Sequence, residues 1–336
     1  AAHSLSSRQQ QVLRLLPLLL HVNHPLLPGY VSTVTPSWFN NYNPEPERVQ
    51  EAQGLARSFG YKPRIGYDRG ELYSLFLMGS VGSMGQGVQS DMDFWLCHAP
   101  ELDASQLASL RRKCDALQDW AHTLGAQISL FLINPAHYVT GAREGVLTSD
   151  DCGTTQHYLL LDEFYRTGIW LAGRTPLWWY VPDYEEHRYT EYCAALLGKR
   201  FVRPEEVVDL GHLAHIPAHE FAGAGMWQIY KGIAEPYKSL LKLLLIEVYA
   251  GQYPQVDCIS LQFKRAIYGG DPDPDTLDAY VMLYRRLQDY LQARGELDRL
   301  ELVRRCFYLK IGVRMSQPGQ AKRHDWQRQL LWRLVR

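Results

Sequence analysis

The residues best suited to chemistry are Leu77-Met78-Gly79-Ser80 and, after ten intervening residues, Asp91-Met92-Asp93-Phe94. In an extended strand alternate side chains share a face, so Asp91 and Asp93 point one way while Met92 and Phe94 point into a core. Two carboxylates a few ångströms apart repel each other until a cation lies between them. Mg²⁺ suits them, because it takes hard oxygen ligands and shares them with substrate phosphates. Gly79 offers backbone with no Cβ in the way and Ser80 a small hydroxyl, a turn that can hold a phosphate oxygen. Gly79 and Ser80, with Ser90 beside the acids, are the candidate nucleotide-binding residues; Asp91 and Asp93 are the candidate catalytic and metal-binding ones. A lone Gly-Ser carries no information, and an isolated Asp-x-Asp is more often a solvated strand end. Here an apolar strand (72–78), a Gly/Ser-rich turn and helix start (80–87) and an acid-bearing strand follow in order, and that combination points to metal-dependent nucleotidyl transfer.

These residues need a scaffold. The pattern predicts an amphipathic helix over 5–22, an extended connection over 31–48 and a helix over 46–58. Beyond the acids it predicts a helix over 102–124 stopped by Gly125, a strand over 126–133, a helix over 157–172 and a loop over 178–186. From about residue 190 the chain reads as almost entirely helical. The expected fold class is α+β, a small mixed sheet with flanking helices followed by an all-helical domain. Three regions are expected: an N-terminal helical segment (1–60), a catalytic sheet domain (61–180) and a helical domain (190–336).

The 336 residues, 46% of them hydrophobic, suffice for one large or two modest cores. A net charge of −1 gives no global attraction to nucleic acid or anionic membrane, so a nucleotide site must be a local positive feature and no nucleic-acid partner is expected. The six cysteines (Cys97, Cys114, Cys152, Cys193, Cys258, Cys306) form no C-x-x-C pair and read as buried free thiols of a reducing compartment. The apolar run 15–22 is short and interrupted by Pro17, so neither a transmembrane segment nor a signal peptide is expected.

The pattern Met78-Gly79-Ser80 with Asp91-Met92-Asp93-Phe94 resembles the DNA polymerase β-like nucleotidyltransferase superfamily. Longer strings narrow the likeness: MGSVGSMGQGVQSDMDFWLCH (78–98), DCGTTQHYLLLDEFYRT (151–167), PYKSLLKLLLIEVYAGQY (236–253), LVRRCFYLK (302–310) and the opening LLPLLLHVNHPLLPGY (15–30). Together they look like the catalytic half of the bacterial class I adenylate cyclases, in order and over nearly the whole chain. The resemblance implies a nucleotidyltransferase-type sheet and conversion of ATP to 3′,5′-cyclic AMP and pyrophosphate in the cytoplasm. It also implies two Mg²⁺ (or Mn²⁺) ions on Asp91 and Asp93. Members of that family are much longer and carry a regulatory region after the catalytic one, so this chain is expected to be a catalytic fragment lacking that region, with room in the cell for a regulatory protein partner.

One departure concerns a third carboxylate, which the superfamily usually places on the neighbouring strand. The strand 127–134 (QISLFLIN) holds no acid. Asp150, Asp151, Asp162 and Glu163 are candidates to replace it, as is proton transfer to bulk water; for Asp151 a helix cap is an equal alternative. Lys238 and Lys242 lie four apart on one helix face, with Lys231 upstream. Such a pair is usually a solvated stripe, but 240–249 is otherwise almost wholly apolar, so the helix is expected to be buried and the ammoniums to need an anion, for which the triphosphate is a natural choice. The Gly-Ser turn itself has no lysine, unlike a P-loop. Trp227 and Tyr230 suit either adenine stacking or core packing, and Gln156 and His157 either phosphate contact or a structural role. The segment 303–336 holds nine Lys or Arg against one Asp325, a solvated face or a docking surface. The generic motif fits equally a transferase passing AMP to a separate hydroxyl; the missing acid fits a silent nucleotide-binding module.

Overall fold

The computed structural model describes residues 5–63, 70–87, 91–140, 156–270, 273, 275–313 and 325–335. Helix α1 (Ser7–His21) opens with a capping box in which Ser6 accepts from the Gln9 amide and the Gln9 side chain accepts from the Ser6 amide. It runs through Pro17, which forfeits only one backbone hydrogen bond, and buries Leu15, Leu16, Leu18, Leu19 and Leu20. The short α2 (Pro46–Leu55) follows.

A four-stranded sheet is built from β1 (Leu72–Met78), β2 (Met92–His98), β3 (Ile128–Ile133) and β4 (Ile169–Gly173), in spatial order β3-β2-β1-β4. β1 is antiparallel to both neighbours, and β2 pairs parallel with β3. The crossover between β2 and β3 is α3 (Ala104–Thr123), capped by Asp103 and followed by Gly125 at φ +71°. The sheet is covered on both faces. Leu75, Leu77, Met92, Phe94 and Leu96 join the core under α1 and α3, whereas Phe76, Met78, Trp95 and Cys97 join the core shared with the later helices. Strand alternation therefore turns Asp93, between Met92 and Phe94, toward the helical side.

After the short α4 (Pro135–Val139), helix α5 (His157–Thr167) lies on that face, with Phe164 stacked on Trp95 at 4.6 Å. The expected continuation of α5 to residue 172 is corrected. Gly168 ends the helix, and 169–173 is an edge strand paired with β1; its β-branched and aromatic start suits a strand better than a last helical turn. The expected loop over 178–186 contains 3₁₀ turns at Leu177–Tyr180 and Asp183–Arg188. Helix α6 (Tyr189–Gly198) comes next. The stretch from 199 to 217 departs from the expected helix: it carries Pro204, Gly211 and Pro217, and its Val207–Val208 (β6) pairs with Thr175–Pro176 (β5). From there the described chain is helical: α7 (Ala218–Lys231), α8 (Pro236–Gly251), α9 (Ile259–Tyr268), α10 (Ala279–Ala293), α11 (Leu297–Ile311) and α12 (Asp325–Val335). The fold is thus the expected α+β arrangement. No helix among the described residues is long and apolar enough to cross a membrane.

Candidate active site

Met78 pairs with Asp93 across β1 and β2, so the chain leaves β1 as Gly79 beside that carboxylate. Gly79 has φ +95°, a conformation glycine adopts without penalty, and a Cβ built there would stand 3.9 Å from Asp93 Oδ2. Its amide donates to Thr167 Oγ1 at 3.2 Å, and that hydroxyl donates to the Glu163 carbonyl at 2.7 Å, which ties the turn to the end of α5. Residues 79–87 form consecutive turns instead of the expected helix start. Ser83 Oγ donates to the Ser80 carbonyl, and the Gly82 amide donates to Gln86 Oε1.

The C-terminal helices clamp this turn, through residues the sequence gave no reason to single out. Asp278 caps α10 with one carboxylate oxygen and with the other accepts from the Met84 amide at 2.7 Å. Gln327 of α12 donates to the Met84 carbonyl at 2.9 Å, and the Tyr280 ring lies so close to Gly85 that a Cβ there would come within 2.6 Å of it. An N-cap Asp before an apolar helix was legible; its second partner, almost two hundred residues back in the chain, was not.

Asp91 precedes β2 and is exposed, whereas Asp93 is partly buried. Burial pushes the Asp93 carboxyl up to about 6; Asp91 and Glu163 push the same way, and Lys238 and Lys242 offset part of the effect. Asp91 and Asp93 supply hard oxygen donors for a divalent cation, but among the described residues no cluster of three or more His, Cys, Asp or Glu side chains is placed to hold one. Two carboxylates are a donor set compatible with a hard divalent cation such as Mg²⁺. Across from Asp93 on β3 stands Ser129.

Lys238 and Lys242 of α8 reach this place, and each holds a carboxylate of the chain. Lys242 Nζ lies 2.9 and 2.7 Å from the two oxygens of Glu163, and Lys238 Nζ lies 3.0 Å from Glu235 Oε2. Burial works to raise the Glu163 carboxyl, but Lys242 and Arg166 outweigh it and hold the group down to about 2. Lys242 is lowered by burial against the pull of Glu163. Lys238 is raised in spite of burial, by Tyr280, Glu235 and Glu163. Lys310 of α11 is lowered by burial and by both lysines.

The other candidates sort as follows. Asp162 is buried and committed to structure, accepting from Tyr249 Oη at 3.0 Å and the Ser260 amide at 2.9 Å, with Arg166 at 3.6 Å. Its neighbour Glu163 faces the site. His157 is buried against Tyr138 and Tyr158, the structural environment weighed for it. Trp227 and Tyr230 stack at 5.5 Å on the outer side of α7, with Lys231 over the Trp227 ring, so core packing does not account for Tyr230, which is 56% exposed. Ser90, Asp150 and Asp151 lie outside the described residues. Five cysteines are buried free thiols; Cys152 also lies outside. A cavity of about 460 Å³ lies apart from Gly79, Asp93, Lys238 and Lys242 and is lined by Val139, His157, Tyr158, Tyr189, Cys193 and His212 among others.

A small mixed sheet that turns an acid pair and a glycine turn toward a lysine-bearing helical region defines an α+β protein. The comparisons with known proteins are specific. The family described as "Adenylate cyclase NT domain" matches residues 1–179, and the one described as "Adenylate cyclase, class-I, second domain" matches residues 216–336. The chain belongs to the class-I adenylate cyclase family. It is 40% identical to an adenylate cyclase of Proteus mirabilis over 335 residues, 99% of this chain and 39% of the relative. It is likewise 41% identical to one of Salmonella typhimurium and 40% to one of Escherichia coli K12, each over 328 residues, 97% of this chain and 38% of the relative. The chain thus spans about two fifths of the length of these curated relatives.

Proposed function

We propose that the chain converts ATP to 3′,5′-cyclic AMP and pyrophosphate in the cleft between the sheet region (61–180) and the helical region (190–336), with 1–60 packed against the sheet. The observation that carries this reading is the convergence of Gly79, Asp93, Lys238 and Lys242, from β1, β2 and α8, within an adenylate cyclase family member. The ribose 3′-oxygen must attack the α-phosphorus in line while pyrophosphate leaves opposite. Asp91 and Asp93 would hold Mg²⁺ or Mn²⁺, which would supply Lewis-acid polarisation of the phosphoryl oxygens and of the attacking hydroxyl. Gly79 and Ser80 leave the backbone open to the phosphates. Lys238 and Lys242 take the charge of the β- and γ-phosphates and stabilise it as it grows on the leaving group. The clamp from Asp278, Tyr280 and Gln327 keeps the turn in place, so that the donors need not reorganise during reaction. A chain with free thiols and a nucleoside triphosphate substrate belongs in the cytoplasm.

Incubating the chain with ATP and Mg²⁺ or Mn²⁺ and separating the products tests this directly. Cyclic AMP and pyrophosphate in equal amounts are expected. AMP found attached to a separate acceptor, or no turnover with either ion, would overturn it.

A further inference from the structure

Lys242 and Glu163 form a close two-oxygen pair beside Asp93, where the proposed cleft needs a phosphate. Their side chains are still 20% and 18% exposed, so an incoming ligand can reach them. One turn along α5, Arg166 is buried, and its Nε makes no hydrogen bond among the described residues; its ion-pair partner Asp162 stands at 3.6 Å, beyond hydrogen-bond reach. Arg166 is also close enough to Glu163 to stabilise its charge. A half-buried lysine, a carboxylate holding it and a second cation with spare donor capacity are the parts of an exchange site.

We propose that Glu163 is a resident counterion that holds Lys242 in the nucleotide-free protein, yields it to the triphosphate, and is itself received by Arg166. The inference rests on Lys242 being a triphosphate ligand. Glu163 is then a positioning residue acting through Lys242. Without it, a partly buried ammonium would face Lys238 and Lys310 with no carboxylate in hydrogen-bond contact and tend to lose its proton. With it, Lys242 stays charged and aimed, while Arg166 spares Glu163 from becoming an isolated buried charge after exchange. A second lysine of the same face, Lys238, holds the more exposed Glu235 in the same manner.

The test is calorimetric binding of inorganic tripolyphosphate to the full chain without divalent cations, comparing wild type, Glu163→Gln, Glu163→Asp and Lys242→Ala. The groups facing Lys242 are Glu163 and Arg166 from α5, Lys238 from α8 with Glu235 at its cap, Lys310 from α11 and Asp93 from β2, and Tyr280 from α10 faces Lys238. Removing the Glu163 charge deletes the competitor but also the main support for Lys242 protonation. Glu163→Gln is therefore expected to bind tripolyphosphate about threefold more tightly near pH 7 and to lose about tenfold by about pH 9, while wild type changes little over that range. If Glu163→Gln does not fold, Glu163→Asp, whose carboxylate is withdrawn by one methylene, is expected to bind more tightly than wild type near pH 7. Binding by the folded Glu163 variant equal to or weaker than wild type, alongside weakened binding by Lys242→Ala, would overturn the exchange and leave the lysine assignment standing. Unchanged binding by Lys242→Ala would overturn that assignment itself and the exchange with it.

Discussion

Lys242 and Glu163 are held together across the boundary between α8 and α5, nitrogen to both carboxylate oxygens, within the electrostatic reach of Asp93. The pair joins the helical region to the acid-bearing sheet at the point where opposite charges are most concentrated. Asp93, Glu163, Lys238, Lys242 and Lys310 are electrostatically coupled there, and changes to one member should be felt by the others.

Asp91→Asn and Asp93→Asn are each expected to lower cyclic AMP formation by at least about a hundredfold, because each removes a charged ligand that stabilises transition-state charge. Circular dichroism and gel filtration should show an intact fold. Near-normal turnover by folded Asp93→Asn would refute the site.

Gly79→Ala is expected to cost about 1 kcal/mol through backbone strain alone, since φ is +95° and the nearest atom a Cβ would meet is at ordinary contact distance. Gly79→Val adds branching that this conformation resists and should weaken ATP binding as well. Isothermal titration would show an unchanged ATP affinity if the turn were only structural.

Lys242→Ala and Lys238→Ala are each expected to raise the KM for ATP by about tenfold, the scale of one charge-assisted hydrogen bond, with AMP affinity affected much less because AMP lacks the β- and γ-phosphates. Equal losses for ATP and AMP would return both lysines to structural roles.

Much of this was legible in the chain because its signals are local. Period-two alternation in 91–94 gave the facing of Asp93, and the apolar run of 240–249 around two lysines gave a buried cationic face. What escaped depended on distant partners. The helix end at Gly168 has no strong local signal, since β4 exists only by pairing with β1. Glu163 and Asp162 are adjacent and chemically alike in sequence; only packing turns one toward Asp93 and the other toward Tyr249 and Ser260. The clamp of Met84 by Asp278 and Gln327 left no local trace.

Asp278→Ala tests that clamp. It removes a helix cap and the partner of the buried Met84 amide together, so a loss of about 2 kcal/mol in urea unfolding is expected. ATP KM should rise with it, because the Gly79–Gly87 turn loses its anchor. A stability loss with unchanged KM would separate the clamp from nucleotide binding.

The Asp93 carboxyl gives a prediction with a definite sign. Its value is raised from 3.8 to about 6, chiefly by burial, so between those values the folded state binds more protons than the unfolded one. The stability this group contributes is therefore full below the unfolded value and lost as pH rises through the folded one. A two-unit shift corresponds to at most about 3 kcal/mol. Relative to Asp93→Asn, the metal-free wild type should lose about 2 kcal/mol between about pH 4 and pH 7, leaving the variant the more stable protein at neutral pH. Saturating Mg²⁺ favours the ionised carboxylate and should erase most of that difference in the wild type alone. Urea unfolding of both proteins across this range, with chelator and with Mg²⁺, measures each part. A stability difference that ignores pH would mean that Asp93 titrates as an ordinary solvated acid; one that depends on pH but ignores Mg²⁺ would mean that the burden on Asp93 is not relieved by a divalent cation.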